Sequence, residues 1–272
     1  MGYGDDIMAT AQIRQARLEN PDKRIWIGDG TTAMWSPVFD HSPHLCRVGS
    51  PRPGDIWVKN YTGHRPYIDY PNSVRGRCAF TDWRAEPGEL FFNHIEEVAS
   101  AKAMKDEGLE RKQFIVVEPH IKGGFAATNK DWGWHNWVEL MHIIYGLEVA
   151  QFDYGKPILE GAVGVPAPNF RIACAVLRHA AAIVTTDGGL HHAAAALGVP
   201  GVVIWGGFSS PKNVGYDIHE NIYVEDDDTP CGSRGDCEHC RAKMESIKPF
   251  IVGGCLEECL NGQRTKSSSR VS

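Results

Sequence analysis

The chain has 272 residues, of which 42% are hydrophobic, and its formal net charge is −6. This acidic balance excludes a general nucleic-acid binder that relies on a basic excess. No apolar run approaches the roughly 20 residues that a membrane-spanning helix needs. The chain also opens without a basic segment followed by an apolar one, so we expect a cytoplasmic protein.

Apolar runs rich in β-branched residues alternate with helical patterns, which predicts an α/β fold with a parallel sheet. The predicted strands are 24–28, 55–60, 114–120, 147–152, 181–186, 201–206 and 221–225. The predicted helices are 7–19, 94–107, 136–145, 170–179 and 190–197. Residues 59–89 are rich in glycine, proline and aromatics, and we predict that they are mostly loop.

A charged helix is predicted to end near residues 108–112, just before the apolar run that begins the second half. We therefore predict an N-terminal α/β domain over residues 1–110 and a Rossmann-like domain over residues 111–260, facing each other across a cleft. Residues 261–272 are polar and serine-rich, which predicts a disordered tail.

Residues 41–84 carry seven lysines or arginines against three acids, and aromatic residues are interleaved with them. Such a stretch is typical either of a solvated, loop-rich surface or of a face that binds an anionic ligand. Both interpretations remain open from the sequence.

The stretch 185–200 predicts a buried strand, a turn and a short alanine-rich helix. Asp187, Gly188 and Gly189 form the turn, at the carboxyl end of the strand, where open α/β sheets bind ligands. The glycines can bring backbone N–H groups close to an anion, and the helix N-terminus adds its positive dipole end. The alternatives are that Asp187 only caps the helix and that His192 is a satisfied core histidine.

A second glycine-containing loop follows the predicted strand 114–120 and supplies Thr128, Asn129 and Lys130. A lysine that leaves such a loop is suited to neutralising a diphosphate as a compact point charge. The alternative is an ordinary solvated lysine.

Three segments together resemble glycosyltransferase family nine, the heptosyltransferases. "TTDGGLHHAAAALGVPGVVIWGG" resembles the sugar-nucleotide motif of that family, which has Asp-Thr-Gly-Leu-x-His before an alanine-rich helix. "NKDWGWHNWVEL" resembles its Lys-x-Trp segment, and "GYGDDIMATAQIRQA" resembles the Gly-Asp turn that opens its first helix. The family usually has threonine where this chain has Gly188, and it has a first strand ahead of the Gly-Asp turn, so we expect a reduced N-terminal domain.

The resemblance implies a GT-B architecture, with the acceptor on the N-terminal domain and the nucleotide sugar on the C-terminal one. It implies inverting transfer without a catalytic metal. Asp5 takes the place of the catalytic aspartate of the family, and Lys130 that of the lysine on the donor phosphates. Four residues fall on the donor-binding motif: Asp187, Gly188, Gly189 and His192. Thr128 and Asn129 are predicted to contact the donor phosphates beside Lys130.

These residue types suit the implied chemistry. A carboxylate such as Asp5 can take the proton from an attacking acceptor hydroxyl. Lys130 and the backbone N–H groups near Gly188 can stabilise the departing nucleoside diphosphate in place of a metal. The alternative for Asp5, or for Asp6, is a cap of the first helix.

Five of the eight cysteines lie in the last 42 residues. Cys237-x-x-Cys240 has the spacing of a zinc knuckle, which Cys231 and either Cys255 or Cys259 can complete, with His239 as a further candidate ligand. Free or buried thiols are the alternative.

The acidic run at 225–229 contains Asp226-x-Asp228, which superficially matches the acidic motif of metal-dependent glycosyltransferases. A solvated turn is the simpler interpretation of such a run. We therefore predict that catalysis needs no cofactor and that any zinc is structural.

The sequence thus predicts an inverting, metal-independent transfer of a heptose-like sugar from a nucleoside-diphosphate donor to a hydroxyl. The resemblance implies ADP-heptose as donor and an anionic glycan, the lipopolysaccharide core, as acceptor. One alternative is a glycosyltransferase that acts on hydroxymethylated DNA bases. Another is a non-catalytic protein that only binds sugar nucleotides.

Overall fold

The computed structural model describes residues 2–124 and 127–268 as a mixed α/β protein. The strands are β1 Ile25–Gly28, β2 Ile56–Lys59, β3 Ile68–Val74, β4 Arg77–Phe80, β5 Phe114–Glu118, β6 Glu148–Asp153, β7 Val163–Pro166, β8 Ala182–Thr186, β9 Gly201–Trp205 and β10 His219–Tyr223. The helices are α1 Tyr3–Glu19, α2 His94–Asp106, α3 Trp134–Ile143, α4 Phe170–Leu177, α5 Gly189–Ala196, α6 Pro211–Val214, α7 Glu238–Ser246 and α8 Pro249–Ser268.

The second half is built on a six-stranded parallel sheet in the order β10-β9-β8-β5-β6-β7. From β5, two strands extend to one side and three to the other, which is the strand order of a Rossmann fold. The predicted Rossmann-like C-terminal half is confirmed.

The first half contains a two-stranded parallel sheet, β1-β2, and a separate antiparallel hairpin, β3-β4. The N-terminal sheet is therefore reduced, as expected. Residues 59–89 are mostly loop, as predicted, but β3 and β4 also lie within them. The sequence does not predict this hairpin, because Pro71 and Asn72 lie inside β3 and interrupt a strand pattern. The register of β3 with β4 is also irregular.

Side chains of β5 alternate between the two faces of the large sheet. Phe114 and Val116 join a core cluster that also contains Ile7 of α1 and Ile25 of β1, so this cluster spans both halves of the chain. Ile115 and Val117 pack on the opposite face, in a cluster that includes Trp137, Leu140 and Leu256 from α3 and α8. The predicted domain boundary near residue 110 remains a prediction.

Helix α8 continues through residue 268, into the segment predicted to be a disordered tail. Each further helical residue adds a backbone hydrogen bond once a helix is formed, and no proline interrupts this segment. Residues 269–272 lie outside the described residues. Within the part of the chain that the structure describes, no helix has the length and apolar character to cross a membrane.

Candidate functional site

The candidate site lies where the strand order of the large sheet reverses, between β5 and β8. Asp187 directly follows β8, and the loop after β5 leads into a short 3-10 helix, Thr128–Lys130. The carboxyl ends of neighbouring parallel strands meet at one sheet edge, which is where open α/β sheets bind ligands. Two segments separated by more than fifty residues therefore share one site.

Lys130 and Asp187 form an ion pair at this edge. Nζ of Lys130 lies 2.6 Å from Oδ2 of Asp187, and the Ser209 hydroxyl donates to the same oxygen at 2.5 Å. Burial raises the pKa of Asp187, but the charge of Lys130 and the hydrogen bonds from Lys130 and Ser209 outweigh burial and hold that pKa well below its usual range. The carboxylate is therefore charged, and it fixes the ammonium group at the end of the sheet.

The helix α5 begins at Gly189, with Gly188 rather than Asp187 as its N-cap. Gly188 has φ −177° and ψ −172°, an extended conformation that any residue can adopt. A Cβ added there would meet only the carbonyl oxygen of Thr186, at 3.7 Å. The backbone of this chain therefore has room for a threonine at position 188.

The rings of His191 and His192 are in contact, with centroids 3.8 Å apart and planes tilted by 37°. Nδ1 of His191 accepts the backbone N–H of Gly188 at 3.0 Å, so its Nε2 carries the proton and donates to the carbonyl of Val214. Nδ1 of His192 lies 2.7 Å from the Tyr216 hydroxyl. Burial lowers the pKa of both histidines, so both rings are neutral. Both lie at the start of α5, beside Asp187.

The first turns of α1 and α5 are in direct contact. A Cβ added at Gly4 would lie 2.6 Å from Cδ2 of His192, and one added at Gly189 would lie 3.7 Å from Cβ of Tyr3. Tyr3 also stacks on Phe170, with ring centroids 4.4 Å apart. The close approach at Gly4 has room for glycine alone, and it brings the N-terminus of α1 to the donor motif.

Asp5 lies in the first turn of α1, beside this contact. Its Oδ1 accepts the hydroxyl of Tyr67 at 2.6 Å and lies 2.9 Å from Nε of Arg65. Tyr67 is also close enough to Asp187 for that carboxylate to raise its pKa, in addition to the larger effect of burial and the effect of Asp5. The structure therefore gathers Asp5, Arg65, Tyr67 and the Lys130–Asp187 pair in one region.

Neither Asp5 nor Asp6 is the N-cap of the first helix, because the helix begins at Tyr3 and Gly2 occupies that position without a side-chain cap. Asp6 is buried and accepts the amide of Asn60 at 2.9 Å. Burial raises the pKa of Asp6. Asp6 therefore ties α1 to the end of β2, while Asp5 faces the candidate site.

Thr128 and Asn129 point away from the site, in contrast to the predicted contact with donor phosphates. The fully buried Asn129 amide donates to the carbonyls of Ser233 and Gly235 at 2.9 and 2.8 Å, and its Oδ1 accepts the N–H of Cys237 at 3.0 Å. The Thr128 hydroxyl binds Asp236. Successive residues of a 3-10 helix point about 120° apart. Lys130 therefore reaches the site, while Asn129 holds residues 231–240, here called the cysteine loop, whose last three residues begin α7.

Three of the four predicted metal ligands are brought together. The ligand atoms of Cys231, Cys237, His239 and Cys240 all lie within 4.8 Å of one another. Cys255 does not belong to this group, since it lies on α8 and packs against the core cluster of α3 and α8. His239 is the fourth member of this group, and the sequence could have favoured it because it lies between Cys237 and Cys240.

The acidic run has a different partner from the one that its Asp-x-Asp spacing predicts. Asp226 lies 3.2 Å from Nε2 of His239 and 2.5 Å from Nζ of Lys243. These contacts, led by the hydrogen bond from Lys243, lower the pKa of Asp226 to about 2. Asp226 is therefore held by two side chains of α7.

Comparison with known proteins agrees with this geometry. Residues 165–250, which include the Asp187 turn and α5, match the family model described as glycosyltransferase family 9 (heptosyltransferase). The match covers 86 of the 272 residues, so over this part the chain is similar to that family. The predicted resemblance and the predicted class of enzyme, a glycosyltransferase, are confirmed. No curated protein matches the chain in sequence.

Solved structures of similar fold include a family 9 glycosyltransferase from Veillonella parvula DSM 2008, with 14% identity, a TM-score of 0.64 and coverage of 96% of this chain and 95% of that one. The iron-containing dodecameric glycosyltransferase TibC from enterotoxigenic E. coli is 15% identical with a TM-score of 0.55, over 98% of this chain and 74% of that one. The ADP-heptose lps heptosyltransferase II of E. coli is 21% identical with a TM-score of 0.48, over 65% of this chain and 54% of that one. The first two likenesses agree with the predicted GT-B fold.

Several residues of the site were not found from the sequence: Arg65, Tyr67, His191, Ser209 and Tyr216. Arg65 and Tyr67 lie in the basic, aromatic stretch 41–84, which was one candidate for an anion-binding face. Nothing in that stretch indicates that either residue contacts Asp5. His191 was visible in the motif and could have been included.

Proposed function

We propose that this family 9 enzyme transfers a heptose-like sugar from a nucleoside-diphosphate donor to a hydroxyl of an anionic acceptor, with inversion and without a catalytic metal. The observation that carries the proposal is the gathering of Asp5 and the Lys130–Asp187 pair around Tyr67. A base and a phosphate-neutralising group are the two parts that this reaction needs.

In the proposed mechanism, Asp5 accepts the proton of the acceptor hydroxyl as its oxygen attacks the anomeric carbon. The carbon–oxygen bond to the diphosphate breaks on the opposite face, which inverts the configuration. Arg65 and Tyr67 hold one carboxylate oxygen of Asp5, so the other oxygen is directed to the substrate.

The leaving diphosphate gains negative charge as the bond breaks. Lys130 and the first-turn N–H groups of α5 lie where they can stabilise this charge. Asp187 keeps the ammonium group of Lys130 in position before the donor binds. ADP-heptose is the donor that the family resemblance implies.

The acceptor side is proposed to be anionic because Arg65 and Lys59 line a small hollow beside Asp5 and Tyr67. An inner-core glycan that carries phosphate fits this chemistry. A cytoplasmic location, where nucleotide sugars are made, remains part of the proposal.

The test is release of ADP from ADP-heptose, measured by chromatography with and without a phosphorylated core oligosaccharide. We expect turnover by the wild type, a loss on the order of a thousandfold for Asp5→Asn, and unchanged turnover for the exposed control Asp22→Asn. If the protein binds the donor but releases no ADP with any acceptor tested, it is instead a non-catalytic sugar-nucleotide-binding protein. If sugar is transferred to hydroxymethylated duplex DNA and not to the glycan, the acceptor is the nucleic acid.

A further inference from the structure

The cysteine loop, residues 231–240, combines soft ligand atoms with contacts to the segment that carries Lys130 and to the β3-β4 hairpin. Its four grouped side chains supply three sulfurs and one ring nitrogen. Sγ of Cys231 lies 3.0 Å from that of Cys240 and 3.9 Å from that of Cys237. These separations exceed the roughly 2.05 Å of a disulfide, and all three cysteines are free thiols.

His239 is oriented as a metal ligand would be. Its Nδ1 is buried and has no hydrogen-bond partner among the described residues, whereas its Nε2 faces the carboxylate of Asp226. A ligating histidine typically donates its other ring N–H to a carboxylate, which fixes the tautomer and the orientation of the ring. A Cβ added at Gly207 would lie 2.9 Å from Nδ1 and 3.4 Å from Sγ of Cys240, so this nitrogen is on the side of the thiols.

The donor set therefore fits a thiolate-preferring cation, zinc or iron, held in tetrahedral coordination. Binding would release the thiol protons to solvent, since the thiolates are the ligands. Cys237 is the N-cap of α7, and His239 and Cys240 lie in its first turn, whereas Cys231 lies in the turned segment before it. A cation would therefore tie that segment to the start of α7.

One end of the cysteine loop is bonded to the segment that carries Lys130. Asn129 accepts from the N–H of the ligand residue Cys237 and donates to Ser233 and Gly235. The carbonyl of Asn129 packs against Gly206, where an added Cβ would lie only 2.6 Å away. Lys130 is the next residue, so its backbone position depends on the loop that Asn129 binds.

The other side of the loop is bonded to the β3-β4 hairpin. The N–H of Cys78 donates to the carbonyl of Gly232, and the N–H of Arg234 donates to the carbonyl of Gly76, both at 2.8 Å. Nε of Arg234 also lies 3.0 Å from Sγ of Cys78. The hairpin is continuous with Tyr67, which holds Asp5.

We propose that Cys231, Cys237, His239 and Cys240 bind one zinc or iron ion. This ion clamps the cysteine loop so that it positions Lys130 through Asn129. In this arrangement the ion has a structural role, and Asn129 is a positioning residue. The second part rests on the proposed function, in which Lys130 binds the donor diphosphate.

The first experiment measures metal in the purified full chain by elemental analysis, which also distinguishes zinc from iron. We expect about one equivalent per chain, retained in the control Cys255→Ser and lost in Cys240→Ser. Because Cys240→Ser could also impair folding, the wild type is in addition stripped with a chelator and reloaded with Co²⁺. Absorption bands typical of tetrahedral cobalt thiolate would support the site. The site is overturned if the purified wild type contains no metal and the cobalt-treated protein also lacks these bands.

The second experiment measures ADP binding by calorimetry in Asn129→Ala together with metal content. We expect full metal occupancy and ADP affinity weakened at least fivefold, because Lys130 loses its support. Unchanged affinity would overturn the positioning role while leaving the metal site intact. If the wild type holds the metal but binds neither ADP nor its sugars, the proposed function fails and the metal site stands.

Discussion

The ammonium group of Lys130 is held 2.6 Å from the buried carboxylate of Asp187, so one ion pair joins the two segments of the candidate donor site. Asp187 directly follows β8, and Lys130 ends the short 3-10 helix that follows β5. The pair has a structural role and a proposed chemical role, and these can be separated by mutation.

The first prediction concerns this pair. Lys130→Met leaves Asp187 buried without its counter-charge, and we expect unfolding free energy to fall by about 2–3 kcal/mol, less than for a fully buried pair because Lys130 is partly exposed. The double variant Lys130→Met/Asp187→Asn should recover most of that loss in urea titrations. Turnover should remain reduced on the order of a hundredfold. A double variant with wild-type turnover would remove Lys130 from the reaction.

A second prediction concerns Gly188, where the resemblance predicts threonine. Its extended conformation and the open space around its Cβ position accept a side chain. A threonine hydroxyl can cap α5, whereas alanine cannot, so Gly188→Thr should be more stable than Gly188→Ala by about 1 kcal/mol. Thermal unfolding of the two variants checks this, and equal melting temperatures would contradict the cap. We also expect tighter ADP binding for the threonine variant alone.

A third prediction concerns Tyr67. Burial and Asp5 raise its pKa well above the usual value, so its hydroxyl stays protonated and donates to Asp5 at any working pH. Tyr67→Phe removes a hydrogen bond to a charged group, and kcat should fall about tenfold with little change in the KM for donor. Tyr61→Phe is the matched control, because the hydroxyl of Tyr61 makes no contact with Asp5. A raised KM with unchanged kcat would place Tyr67 in donor binding instead.

A fourth prediction concerns Glu118, at the end of β5. Burial raises the pKa of its carboxyl to about 8. The folded state therefore keeps a proton that the unfolded state has lost, and stability should decline as pH rises from about 4.5 to about 8.

Replacement of this carboxyl should remove that decline. We compare the unfolding free energy of Glu118→Gln with that of the wild type at each pH. This difference should be more favourable to the variant at pH 8.5 than at pH 5 by on the order of 2–4 kcal/mol. The exposed Glu160→Gln should show no such gain. Urea unfolding of the three proteins at the two pH values measures the difference, and parallel behaviour of Glu118→Gln and the wild type would refute the assignment.

The parts of the fold that could be predicted are those with a local signal. The strands around Asp187 are continuous apolar runs with a glycine turn between strand and helix, and β8, α5 and β9 lie within one or two residues of their predicted bounds. The turn at Asp187 and the loop that leads to Lys130 could be placed at one edge because parallel strands share an edge.

What could not be predicted depends on contacts between distant residues. Tyr67 and Asp5 are 62 positions apart and meet through a hairpin that has no alternating pattern. Asn129 and Lys130 were predicted together because their residue types both suit phosphate, and only the turn of a 3-10 helix separates their directions. Cys255 was chosen over His239 as the fourth ligand, but the spacing of cysteines in the sequence does not determine which side chains lie close together in the fold.

The contact of Tyr3 and Gly4 with α5 means that two helices meet at their amino ends. Like poles of helix dipoles repel, and the carboxylates of Asp5 and Asp187, which lie nearby, offset that repulsion. A small dianion between the poles would relieve it, so phosphate or sulfate buffers would compete with the nucleotide. Affinities for donors measured in such buffers would therefore be too weak, and an uncharged buffer at low ionic strength is the appropriate choice.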